Sequence, residues 1–87
     1  MKVKILFGGI YSELAKSDKY DIEISDNIIN TDKLLHIIKE KFNIDIKNDV
    51  VGGNAIILIN GRNIKTAGEV KINDGDFISI IPPIKGG

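Results

Sequence analysis

The chain has no cysteine. That absence excludes disulfides, a thiolate nucleophile and any cysteine-ligated metal. It also lacks an excess of charge of either sign, since twelve Lys and Arg offset twelve Asp and Glu. No basic field is available to hold a nucleic-acid backbone, so that class of partner is not expected. Long hydrophobic runs are missing as well. The N-terminus, Met1-Lys2-Val3-Lys4, alternates charge and then turns apolar for only a few residues. That is too short for a signal peptide or a membrane span, and the expectation is a soluble, cytoplasmic protein. The single histidine, His36, has no second His or Cys at ligand spacing and reads as a helix surface residue. No metal site is expected. Proline occurs at only two positions, and they are adjacent, Pro82 and Pro83.

What remains is an ordinary globular composition of 87 residues, 43% hydrophobic and 28% charged. This suits one domain with one core and little room for an enclosed active site. Val3 to Phe7 reads as a first strand, with Val3, Ile5 and Phe7 on one face and Lys2, Lys4 and Leu6 on the other. Ile10 to Lys16 reads as a short helical segment with Ile10, Leu14 and Tyr11 as its inward candidates. Tyr20 to Ile24 alternates as a second strand, forming an antiparallel hairpin with the first. Ser25 to Ile29 is a connection. Asn30 or Thr31 then caps a long helix through Phe42, with Asp32 in its first turn and Leu34, Leu35, Ile37, Ile38 and Phe42 on its apolar face. Residues 43–54 give no clear pattern, although Ile44 and Ile46 require burial. Ala55 to Ile59 is a strand without clear alternation, covered on at least one face. Asn60-Gly61 predicts a type I′ hairpin turn, with Arg62 to Ile64 pairing back. Residues 67–70 form a second small element. Asp74 and Asp76 lie in a glycine turn and read as turn formers. Gly8-Gly9 and Gly52-Gly53 lack the spacing and lysine of a phosphate loop. Arg62, the sole arginine, reads as solvated. The order predicts an α+β fold, a mixed sheet packed on one long helix with the first and last strands central.

The C-terminal stretch stands apart. A last strand, Asp76 to Ile81, runs into Pro82-Pro83, where sheet pairing stops because proline has no N–H to give. Ile84-Lys85-Gly86-Gly87 then forms a free lead of roughly 13 Å, at about 3.3–3.6 Å per residue. Without a Cβ, Gly86 and Gly87 can enter a channel too narrow for other residues. The expectation is a domain over 1–83 and a flexible tail over 84–87 that offers its carboxylate to another protein's active site. The alternative is a frayed terminus.

This arrangement resembles the ubiquitin-like β-grasp fold, and the segment from Asn73 to Gly87 resembles the ending of the MoaD family, the small subunit of molybdopterin synthase. That ending is a Gly-Asp before the last strand, then Pro-Pro, two variable residues and Gly-Gly. Lys4-Ile5-Leu6-Phe7 with Glu13-Leu14 is similar to the family's first strand and following turn, and Ile59-Asn60 to its third strand and hairpin. The resemblance implies a sulfur carrier. An activating enzyme of the ubiquitin-activating type would use ATP to adenylate Gly87. A thiocarboxylate would replace the adenylate and donate sulfur to a dithiolene precursor in the large catalytic subunit. No cofactor is bound by the carrier, and with no cysteine for a persulfide its sulfur would sit on the Gly87 carbonyl. Pro82, Pro83, Ile84, Lys85 and Gly86 would form the inserted tail. Leu6, Ile57 and Ile81 are expected to share the sheet face away from the helix as an apolar docking patch, with Asn63 as a further partner contact. The alternative is that residues 43–54 cover them. The chain departs from the family pattern at Ser12, where an arginine is common, and at Ile81, where an aromatic is. It departs again at Gly8 and at Asn63, where a docking surface often carries an apolar side chain. A related branch of small archaeal-type modifiers, attached to lysines or serving tRNA thiolation, shares the Gly-Gly ending. An inert β-grasp interaction module is a third reading.

Overall fold

A computed structural model describes residues 1–67 and 70–83. Expectations that fall on Gly68, Glu69 and the tail Ile84 to Gly87 lie outside the described residues. The chain runs β1 (Lys2–Phe7), α1 (Ile10–Ala15), β2 (Lys19–Glu23), β3 (Ile28–Asn30), α2 (Thr31–Phe42), α3 (Ile46–Val51), β4 (Ile56–Ile59), β5 (Arg62–Asn63), a single turn α4 (Ile64–Ala67), β6 (Lys71–Asn73) and β7 (Phe77–Ile81). Five strands form a sheet of order β2-β1-β7-β4-β5. β1 and β7 are parallel and every other neighbour in this sheet is antiparallel. β3 and β6 make a second, two-stranded antiparallel sheet. No helix among the described residues is long and apolar enough to cross a membrane.

Period-two patterning sets the sheet. Val3, Ile5 and Phe7 of β1, Ile57 and Ile59 of β4, and Ile78 and Ile80 of β7 are buried on one face, where they join Leu34, Leu35 and Ile38 of α2 in one core. Packing at the end of α2 is aromatic. The Phe7 and Phe42 rings meet edge to face with centroids 5.1 Å apart, and Tyr20 lies against both. α2 begins where expected because the Asn30 side chain accepts from the Lys33 amide at 2.8 Å. It stops at Asn43, which adopts the left-handed conformation (φ 57°) and donates its amide to the Lys39 carbonyl. Asn60 (φ 51°) and Gly61 (φ 84°) both take positive φ, as a type I′ turn requires.

Four expectations are corrected. α1 turns Tyr11 inward as expected, but not Ile10 or Leu14. Tyr11 and Ala15 face inward, while Ile10 and Leu14 are 57% and 53% exposed. The tyrosine ring fills more of the interior than either aliphatic, and its hydroxyl finds partners there. The connection before α2 contains β3, which buries Ile29 against Ile72 of β6, a strand too short to show a period. The unreadable stretch holds α3, capped by Asp45 and anchored by buried Ile46. Finally, β4 does alternate, and its Ile57 is a core residue at 1% exposure. Ile57 therefore does not share a face with Leu6 and Ile81.

Candidate functional site

The site is the end of β7 and the surface around it. β7 is paired on both sides, with β1 through Ile80 and with β4 through Ile81. Pro82 and Pro83 follow outside the strand. Pairing stops there because proline lacks the donor the next ladder position needs. The last strand thus delivers the chain from the middle of the sheet rather than from an edge.

Gly8 and Gly9 lie beside that exit. The Gly8 amide donates to the Ile80 carbonyl at 2.9 Å. The Gly8 and Gly9 carbonyls accept from the amides of Tyr11 and Ser12, and the Ser12 hydroxyl also donates to Gly9. A Cβ on Gly8 would come within 2.9 Å of Ile81 Cγ2, and one on Gly9 within 2.8 Å of Pro82 Cγ. Gly9 has φ +56°, a conformation that L side chains rarely adopt. Sequence reasoning treated these as loop glycines, since nothing local to positions 8 and 9 marks what approaches them from residue 82.

The sheet face away from α2 is built by the other strand period. Register places Lys19, Leu6, Ser79, Leu58 and Asn63 in one row across all five strands. Asp21, Lys4 and Phe77 form the adjacent row toward the start of β7, and Ile56 pairs with Ile81 toward its end. Leu6 and Ile81 are half-buried on this face as expected, and Phe77 is 40% exposed. Asn63 lies at its β5 edge, where its side chain accepts from the Lys65 amide at 2.9 Å. Ile56, Leu58 and Phe77 were missed. For Phe77 the signal was available, since it alternates with the buried Ile78 and Ile80. For β4 all four residues are large aliphatics, and residue type gives no face.

The ionisable groups supply little chemistry. No buried charged or polar residue occurs among the described residues, and no three acidic or histidine side chains converge. His36 sits on the solvent side of α2, 3.0 Å from Glu40 one turn on. Burial, reinforced by the hydrogen bond and charge of Asp49, pushes the Tyr11 phenol up to about 12, so it keeps its proton at neutral pH. Asp74 and Asp76 are turn formers. Asp74 accepts from the Lys2 amide at 2.6 Å and Asp76 from the Asn73 amide at 2.8 Å. An open depression of about 440 Å³, lined by Lys2, Lys4, Asp21 and Glu23 among others, lies at the end of β1 away from Gly8. What the arrangement does is present a strand end.

The profile of the ThiS family matches residues 5–87, nearly the whole chain. The chain belongs to the ThiS family. Solved structures agree with this fold. A putative subunit 1 of the molybdopterin converting factor from Pyrococcus furiosus superposes with a TM-score of 0.72 at 22% identity, covering 97% of this chain and 99% of that one. Small archaeal modifier protein 1 from Methanosarcina acetivorans gives 0.72 at 25% identity, covering 99% and 96%. The complex of subunits 1 and 2 of the molybdopterin-converting factor from Helicobacter pylori gives 0.63 at 28% identity, covering both chains fully. No curated protein matches the sequence. The ubiquitin-like β-grasp reading therefore stands, and the chain is a MoaD/ThiS-like protein that shares its fold with molybdopterin-converting-factor subunits and small archaeal modifiers.

Proposed function

We propose that this ThiS-family chain is a sulfur carrier whose reactive group is the Gly87 carboxylate. A carboxylate is a poor electrophile until it acquires a leaving group, and this chain has no group to supply one. An activating enzyme would therefore direct a carboxylate oxygen onto the α-phosphorus of ATP, forming the acyl-adenylate as pyrophosphate departs. Attack on that carbonyl by a hydrosulfide-level donor expels AMP and leaves the thiocarboxylate. The carrier then gives its sulfur to a dithiolene precursor in the large subunit of molybdopterin synthase, for molybdenum or tungsten cofactor assembly. In this reading Pro82 and Pro83 with Ile84, Lys85 and Gly86 carry Gly87 into each partner's active site. The open sheet face docks, through Leu6 and Ile81 with Ile56, Leu58 and Phe77, and with Asn63 at its edge. The carrier binds no cofactor of its own, and ATP belongs to the activating partner.

The observation that carries the reading is the family match running through Gly86 and Gly87, beyond a β7 that ends at two prolines. The Helicobacter pylori subunits 1 and 2, solved as a complex, supply the precedent for a second-subunit partner. The Methanosarcina acetivorans modifier, similar over nearly the full chain, favours a second reading in which Gly87 forms an isopeptide bond with a lysine or carries sulfur to tRNA.

Intact mass of the protein isolated from its host tests both. One oxygen replaced by sulfur, with the modified species consumed by alkylation, supports a carrier. Unmodified free protein alongside lysine-linked adducts supports the modifier. Unmodified protein without adducts, after incubation with the activating enzyme and ATP, defeats both readings.

A further inference from the structure

We infer that Gly8 and Gly9 are positioning residues for the C-terminal tail, forming a side-chain-free seat that holds Ile81 and Pro82 and so sets where the chain leaves the sheet. The inference rests on the tail-donor reading above and adds to it two residues far from the tail in sequence.

The seat is held by two elements, β7 and α1. β7 binds it through the Gly8 amide and the Ile80 carbonyl. α1 binds it through the two glycine carbonyls, which accept from the Tyr11 and Ser12 amides. α1 is itself fixed to the domain by the buried Tyr11, whose hydroxyl reaches Asp49 on α3. The open side is filled by the Ile81 methyl and the Pro82 ring, which crowd the volumes a Cβ would take at positions 8 and 9. At under 3 Å from ring or methyl carbons, neither Cβ fits without displacing Ile81 or Pro82. Pro82 has one free backbone dihedral fewer than other residues, so a shift of its ring redirects the chain behind it. A carboxylate that must meet the α-phosphorus of ATP in another protein is sensitive to such a shift, since a misplacement of about 1 Å can cost on the order of a hundredfold in rate.

The test is carrier-dependent ATP–pyrophosphate exchange, with the host's ubiquitin-activating-type enzyme and the full-length protein. Gly9→Ala, Pro82→Ala and the double variant are compared, with thermal melts showing each is folded at the assay temperature. The expected result is a fall in kcat on the order of tenfold to a hundredfold for Gly9→Ala with KM for the carrier unchanged, because docking through the sheet face is untouched. The double variant falls no further than the worse single variant, since both act on one contact. Where Gly9→Ala melts too low, Gly8→Ala is assayed in its place and read on kcat alone, since Ile81, which it displaces, also belongs to the docking face. The backbone at Gly8 accepts a side chain, and only the Ile81 contact is disturbed. Unchanged kcat in a folded Gly9→Ala or Gly8→Ala variant overturns the inference, as does a rise in KM alone or additive losses in the cycle. Absence of exchange with the wild-type protein instead removes the donor reading itself.

Discussion

The Tyr11 hydroxyl shares its proton between Asp49 Oδ2, at 2.9 Å, and the Asn54 carbonyl, at 3.1 Å. The same aspartate uses its backbone carbonyl to accept from the amides of Asn54 and Ala55. One contact thus ties α1, and with it the glycine seat, to the loop that leads from α3 into β4. Removing the hydroxyl in Tyr11→Phe leaves the Asp49 carboxylate without its partner in a half-buried site. The expected loss of stability is about 1–2 kcal/mol, or a drop in melting temperature of roughly 4–8 °C per kcal/mol for a domain of this size. Thermal denaturation at neutral pH measures it.

The same contact predicts an alkaline limit. In the folded protein the Tyr11 phenol holds its proton to about 12, against an ordinary value of 10.0. Between those values the unfolded state has released a proton that the folded state keeps, so stability falls as pH rises through that window. Below pH 10 the contribution is whole. Urea midpoints for wild type and Tyr11→Phe should converge as pH climbs from 10 toward 12. Curves that stay parallel would show that Tyr11 is not the group responsible.

Ile57 and Leu6 separate the two faces of the sheet. Ile57 is fully buried beside Ile80, while Leu6 lies half-covered on the opposite face, between Lys19 and Ser79. Ile57→Ala is expected to cost about 2–5 kcal/mol by opening a core cavity. Leu6→Ala should cost under about 1 kcal/mol, since the methyl groups lost are partly in water already. If the open face docks as proposed, the order reverses in partner binding: Leu6→Ala should weaken association, and Ile57→Ala should do so only through unfolding. Equal losses of stability in the two variants would contradict this placement.

These residues also show where the sequence was readable. β1 declared its faces because lysines alternate with apolar residues, and α2 declared its start because Asn30 is a capping type. The pairing of β1 with β7 followed from the expected β-grasp order. β4 hid its faces because an unbroken aliphatic run carries no polar contrast. β3 and β6 hid because three residues are too few for a period, and each is stabilised by the other across about forty positions of chain. Of the inward candidates on α1, Ile10 and Leu14 were misplaced because Tyr11 buries an aromatic ring while keeping its hydroxyl paired, which favours it over two plain aliphatics. The glycine seat was illegible for the same reason as β3: its meaning lies in what packs against it from the other end of the chain.

Asp76 gives the Gly-Asp ahead of the last strand a structural role. Its Oδ2 accepts from the Asn73 amide at 2.8 Å and its Oδ1 from the Asn60 side-chain amide at 3.0 Å. Asn60 in turn accepts from the Phe77 amide at 2.9 Å, so one carboxylate joins the β4–β5 turn to the turn that starts β7. Asp76→Ala should destabilise by about 1–2 kcal/mol. Asp76→Asn, which keeps one acceptor oxygen, should lose less. Both should leave kcat for adenylation unchanged at temperatures where they are folded, because the proposed site of chemistry follows the other end of β7. A fall in kcat in folded Asp76→Asn would place the carboxylate in the activation step instead.

The donor reading makes its sharpest demand on Gly87. Adenylation needs a carboxylate, and an added residue both converts that of Gly87 into an amide and moves the new terminus outward by about 3.3–3.6 Å. An alanine appended after Gly87 should therefore abolish exchange of pyrophosphate into ATP while leaving the melting temperature at the wild-type value, since the addition lies beyond the folded sheet. Binding to the activating enzyme should survive in part, because the open face around Leu6 and Ile81 is unaltered. Full exchange activity in the extended protein would mean that Gly87 is not the reactive residue. Loss of binding together with activity would mean that the tail, and not the sheet face, supplies the main hold on the partner.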